Sequence, residues 1–120
     1  MDADRYARWI DRYVHAWNTN DPDDIKGLFR PDGKYLTEPY AAPWTGHDEI
    51  VSGWLEAKDE PGDTEFTYDV LVATADLGIV KGRTHYKSTG KAYVNLWEIR
   101  LDEDGLCREY VEWWMEVRRP

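Results

Sequence analysis

Two carboxylates and one tyrosine are the residues whose settings could do chemistry. Glu38 stands directly before Pro39, in the run L-F-R-P-D-G-K-Y-L-T-E-P-Y-A-A-P-W-T-G over residues 28–46. Proline pushes the residue before it toward extended backbone. Tyr35, Tyr40 and Trp44 lie close by in sequence. A carboxylate held among apolar rings has its charged form poorly hydrated, which makes it a stronger base. Glu38 is therefore a candidate general base; the other reading is a surface Glu ahead of a turn proline. Glu112 alternates with Tyr110 and Trp114 in the last strand-like run. A carboxylate on a buried strand face needs a partner or a proton. It is a second acid/base group or ligand anchor, or else half of an ion pair with an arginine. Tyr13 falls one helical turn before Trp17, so its hydroxyl points where the aromatic stripe points. It is a pocket donor or a core hydroxyl with a satisfied hydrogen bond. Cys107 is the sole cysteine, which excludes a disulfide framework and a cysteine zinc site. His47 is isolated at a helix start, and His85 falls on the outward set of its strand. The residues call for no metal and no cofactor.

Composition narrows the partners. Fifteen Lys and Arg against 24 Asp and Glu give a net charge of −9. Such a balance disfavours nucleic acid and anionic membrane surfaces. No apolar run approaches membrane-spanning length, and the start M-D-A-D-R-Y lacks a signal pattern. A cytoplasmic protein is the expected class, with residues 1–120 as one domain. Seven Trp, eight Tyr and two Phe exceed what a minimal core of this length uses. The surplus points to a cavity for a small apolar or aromatic ligand, or to a partner surface.

The elements that must position these residues follow from periodicity. Tyr6, Trp9, Ile10, Tyr13, Val14 and Trp17 recur at helical spacing, so a first helix starts at Asp2 or Asp4 and ends by residues 18–21. Asp21-Pro22 caps and starts a short second helix carrying Ile25, Leu28 and Phe29. Pro31-Asp32-Gly33 reads as a turn, residues 34–37 as a strand, and residues 47–58 as a third helix burying Ile50, Val51, Trp54 and Leu55. From residue 64 the period becomes two. Strands are expected at residues 65–75, 79–87, 92–101 and 106–117, joined by short turns into an antiparallel meander.

Helices before an antiparallel sheet make an α+β fold, α-α-β-α-β-β-β-β, with a cone-shaped space between helices and curved sheet. The face bearing Lys81, Arg83, Glu98 and Arg100 reads as the outer one. Asn95, Trp97, Tyr110, Glu112 and Trp114 then face the helices. Trp17, Tyr35, Tyr40 and Trp54 join them as candidate ligand-binding residues. The uncovered outer face predicts a homodimer.

R-Y-V-H-A-W-N-T-N-D (residues 12–21), L-F-R-P-D-G (28–33), Glu38-Pro39, and Gly46 ahead of an Ile-bearing helix resemble the nuclear transport factor 2-like superfamily. That group includes the SnoaL-like polyketide cyclases and the ketosteroid isomerases. The resemblance spans nearly the whole chain and implies a cystatin-like curved sheet wrapped by three helices. Against the ketosteroid isomerases, Tyr13 falls on the tyrosine that hydrogen-bonds the substrate oxyanion. Glu38 falls on the general base, which in that family is an Asp. Trp97 stands where that family has a protonated Asp.

The resemblance implies a cofactor-independent isomerase, cyclase or dehydratase acting on an apolar carbonyl compound. Glu38 would take a proton beside the carbonyl, Tyr13 with Trp97 would stabilise the enolate oxygen, and Glu112 would return the proton. The alternative is a non-catalytic ligand-binding or dimeric scaffold module, since folds of this kind carry many functions.

Overall fold

The computed structural model describes residues 2–118. Helix α1 (Asp2–Thr19) forms because Tyr6, Trp9, Ile10, Tyr13 and Ala16 share one buried stripe, with Asp2 and Asp4 at its positive end. It stops at Asn20, which adopts a left-handed φ of 54° and donates its N–H to the Ala16 carbonyl at 2.8 Å. Helix α2 (Pro22–Lys26) has Asp21 as its N-cap, accepting from the Asp23 N–H at 2.8 Å. Helix α3 (Gly46–Glu56) buries Ile50, Gly53 and Trp54 and ends two residues before the expected Lys58. No helix among the described residues is long and apolar enough to cross a membrane.

The strands are β1 (Phe29–Leu36), β2 (Trp44–Thr45), β3 (Thr64–Ala73), β4 (Gly78–Tyr86), β5 (Ala92–Leu101) and β6 (Cys107–Glu116). Among the described residues they form one sheet in the order β2-β1-β6-β5-β4-β3. The last four strands make the antiparallel meander that their alternation predicts. β1 departs from expectation. It begins at Phe29, five residues early, because Pro31-Asp32-Gly33 is an irregularity inside the strand and not a turn before it. β1 also pairs in parallel with β6, a long-range contact that no local pattern encodes. The two-residue strand β2 was likewise too short to leave a period.

Register shifts between Val70 and Val72 in β3 and between Arg100 and Leu101 in β5 bend the sheet. Its concave face carries Val80, Thr84, Asn95, Trp97, Ile99 and Tyr110, all buried against the helices. α1 lies across that face. Trp9 donates its indole N–H to the Leu28 carbonyl at 2.9 Å, and Arg5 reaches the Asp102 carbonyl at 2.5 Å, tying the helix to the β5–β6 hairpin. Gly53 leaves room on α3 for the Trp44 ring, which a Cβ there would strike. Trp44 can then stack on Tyr35 at 4.9 Å and close one wall of the cone.

Candidate functional site

The open end of the cone is a cavity of about 330 Å³, within the range of small-molecule sites. α1 supplies Tyr13 and Trp17, and β1 with the residue after it supplies Tyr35 and Thr37. α3 supplies Trp54, and the loop behind it supplies Lys58 and Asp59. The sheet contributes Thr84, Tyr86, Tyr93, Asn95, Trp97, Glu112 and Trp114, every one an inward position in the period-two pattern.

Glu112 is the hub. Its Oε2 accepts the Trp97 indole N–H at 2.7 Å and the Asn95 amide N–H at 3.1 Å, and its Oε1 accepts the Tyr110 hydroxyl at 3.3 Å. Register explains the set, because Trp97 is the cross-strand partner of Glu112 and Asn95 that of Trp114. Asn95 is itself held by Thr84, whose hydroxyl donates to the amide oxygen at 2.8 Å. Burial pushes the Glu112 carboxyl up to about 7, against the pull of the Asn95, Trp97 and Tyr110 donors. No ion pair to Glu112 forms among the described residues. The arginine partner weighed from sequence is absent there, and desolvation decides the proton affinity.

Three tyrosines sit over this carboxyl. The Tyr13 and Tyr35 hydroxyls share a hydrogen bond of 2.8 Å, and the Tyr13 and Tyr110 rings stack at 5.5 Å. Burial holds all three hydroxyls above the ordinary phenol value. Proximity to the Glu112 charge adds to the effect. Tyr110 itself is fully buried beneath the cavity and does not line it.

Asp59 is a second carboxylate on the same cavity. Its Oδ2 accepts the Trp17 indole N–H at 2.9 Å and the Tyr86 hydroxyl at 3.2 Å. Asn20 fixes the loop, donating to the Asp59 carbonyl at 3.1 Å while accepting the Trp54 indole N–H at 3.0 Å. The left-handed residue that ends α1 therefore also positions the site.

Of the candidate residues, Tyr13, Glu112, Trp17, Tyr35, Trp54, Asn95, Trp97 and Trp114 come together around the cavity. Two do not. Glu38 is exposed and lines a separate, open apolar groove of about 660 Å³ on the outer side of the sheet with Pro39, Lys81, Leu96 and Trp113. β1 ends at Leu36, and in the bend that follows Thr37 still lines the cone while Glu38 turns outward. Tyr40 is 98 % exposed in the bend after it, and forms no part of an aromatic shell around Glu38. Trp97 is also corrected as an oxyanion donor, because its only N–H is committed to Glu112. Asp59 and Lys58 escaped notice because they lie in an irregular loop, where no periodicity marks which side chain faces inward. Tyr86 was legible, since it follows from alternation along β4, whereas Thr37 lies just past the end of β1.

The SnoaL-like domain family matches residues 10–110. The chain belongs to the SnoaL-like family. No curated protein matches it. Among solved structures, it resembles an NTF-2 like protein of unknown function from Burkholderia xenovorans LB400, with TM-score 0.76 and 11 % identity over 100 % of this chain and 90 % of that one. A ketosteroid isomerase-like protein from Erwinia carotovora atroseptica superposes with TM-score 0.68 and 20 % identity over 98 % of each chain. A protein of unknown function with a cystatin-like fold, from Methylobium petroleophilum PM1, gives TM-score 0.71 and 16 % identity over 99 % of this chain and 81 % of that one. These likenesses establish a nuclear transport factor 2-like, cystatin-like fold, which matches the curved sheet wrapped by helices. SnoaL-like membership carries small-molecule binding as its general theme.

Proposed function

We propose that the cone is a small-molecule site with acid/base capacity centred on Glu112, and that its reaction class is cofactor-independent isomerisation, cyclisation or dehydration of an apolar carbonyl compound. One observation carries this: a carboxyl poised at about 7 faces an aromatic cavity beside a hydrogen-bonded tyrosine pair. Near neutrality Glu112 exists in both protonation states, so it can accept a proton next to a carbonyl and give it back. Two hydroxyls hold two protons, and the Tyr13–Tyr35 bond uses one. The other can turn from the neighbouring Tyr110 hydroxyl to an enolate oxygen. Such a donor contributes roughly 10²–10³-fold in rate, and a positioned base about 10²–10⁴-fold. The base role assigned to Glu38 by resemblance passes to Glu112, since Glu38 faces away from the cavity.

Titration with 2-naphthol, a planar phenol that mimics an enolate, tests the site through tryptophan fluorescence. Saturable quenching is expected in the wild type and weaker binding, by about tenfold, in Tyr13→Phe. Glu38→Gln should bind as the wild type does. Identical binding in Tyr13→Phe, or none in the wild type, would contradict the proposal.

A second, non-catalytic role is favoured by the outer sheet face. Trp113 and Met115 are 43 % and 72 % exposed there, beside Val94 and Leu96. We propose that a second copy of the chain covers this face. Sedimentation should show a dimer that Trp113→Lys dissociates; a wild-type monomer at roughly 50 μM would rule it out.

A further inference from the structure

The carboxylates of the cone are unusual in their surroundings. Glu112 and Asp59 line one cavity, and among the described residues neither makes an ion pair. Lys58 is the cationic residue on the lining, and it is exposed. Each carboxylate is gripped on one oxygen by an indole N–H, Trp97 on Glu112 and Trp17 on Asp59. The opposite oxygen is lightly used. Glu112 Oε1 has only the long 3.3 Å bond from Tyr110, and Asp59 Oδ1 has no side-chain donor among the described residues. Trp54, Trp114, Tyr86 and Tyr93 complete the aromatic wall. The chain as a whole carries a charge of −9.

We propose that the cone selects an organic cation, a small ammonium-bearing molecule with an apolar body, over a neutral molecule of the same shape. Aromatic faces attract a desolvated ammonium through their quadrupoles, and two carboxylates supply the full charges that a neutral ligand would leave uncompensated. Net negative charge raises the local concentration of cations at the mouth. Cation binding also replaces the proton on Glu112, so affinity rises with pH. The titratable and charged groups facing Glu112 are Tyr13 from α1, Tyr35 from β1, Tyr86 from β4, Tyr93 from β5, Tyr110 from β6, and Lys58 and Asp59 from the loop after α3. Burial raises Tyr13, Tyr35, Tyr86 and Tyr110 above their ordinary value, so they stay protonated over the range used below. This occupant presupposes the ligand-binding cone proposed above and names its chemistry.

The test is calorimetric titration with choline and with its neutral isostere 3,3-dimethylbutan-1-ol, each at about pH 6 and about pH 8.5. Choline should bind at least about tenfold tighter than the alcohol at the higher pH, and weaken about threefold or more at the lower one. Glu112→Gln should abolish the pH effect and most of the preference. Asp59→Asn should reduce the preference even if the Glu112 variant folds poorly. Equal affinities for the two isosteres would overturn the inference. Binding of 2-naphthol without choline would overturn it and leave the proposed site standing. Binding of neither would remove both.

Discussion

Trp97→Ala is expected to lower the unfolding free energy by about 3–5 kcal/mol in urea melts near neutral pH, enough to consume much of a small protein's stability. Trp97 is 1 % exposed and is among the largest side chains of the core. Its ring stacks on Phe66 at 4.8 Å and meets Tyr13 at 4.9 Å, so it joins the β3 edge of the sheet to α1. Truncation would remove those contacts, leave a cavity, and strip Glu112 of its shortest hydrogen bond. Trp97→Phe separates these effects. It keeps most of the ring packing but removes the N–H. It should cost less in stability, about 1–3 kcal/mol, and push the Glu112 carboxyl further up. A loss below about 1 kcal/mol for the alanine variant would mean that Trp97 does not bridge sheet and helix.

Glu112→Gln should make the ligand-free protein more stable above pH 7 and leave it nearly unchanged near pH 4. The native carboxyl titrates at about 7, against an ordinary value of 4.5. Between these values the native state keeps a proton that the unfolded chain has released. Stability is therefore fully present below about pH 4.5 and falls as pH rises through 7, where the penalty is complete. The difference corresponds to roughly 3 kcal/mol for this largely buried group. Glutamine carries no charge, and its amide oxygen can still accept from Trp97 and Asn95. Urea melts of both proteins at about pH 4 and about pH 8.5 should diverge only at the higher value. Parallel stabilities at both pH values would show that Glu112 pays no desolvation cost. A residue whose removal stabilises the fold is kept for its use, the usual relation between stability and a working site.

The inward set Asn95, Trp97, Tyr110, Glu112 and Trp114 was legible because alternation is strict and the tight turn at residues 102–105, D-E-D-G, fixes the register of β5 against β6. Tyr13 and Trp17 were legible from the helical stripe. Glu38 was misplaced because likeness to a catalytic motif was followed past Leu36, where β1 ends and its pleat no longer governs direction. Asp59 was hidden for another reason. Its position depends on Asn20 bridging two segments 39 residues apart, and such a contact leaves no trace in local composition.

The central claim is that the cone holds a carboxyl tuned to neutrality by burial. The most direct measurement is a ¹³C NMR titration of the Glu112 side-chain carboxyl in the ligand-free protein, assigned by comparison with Glu112→Gln. The account predicts a midpoint at about 7. A midpoint in the ordinary carboxylate range, roughly 4 to 5, would mean that water reaches Glu112 freely, and acid/base work near neutrality would have no group to perform it.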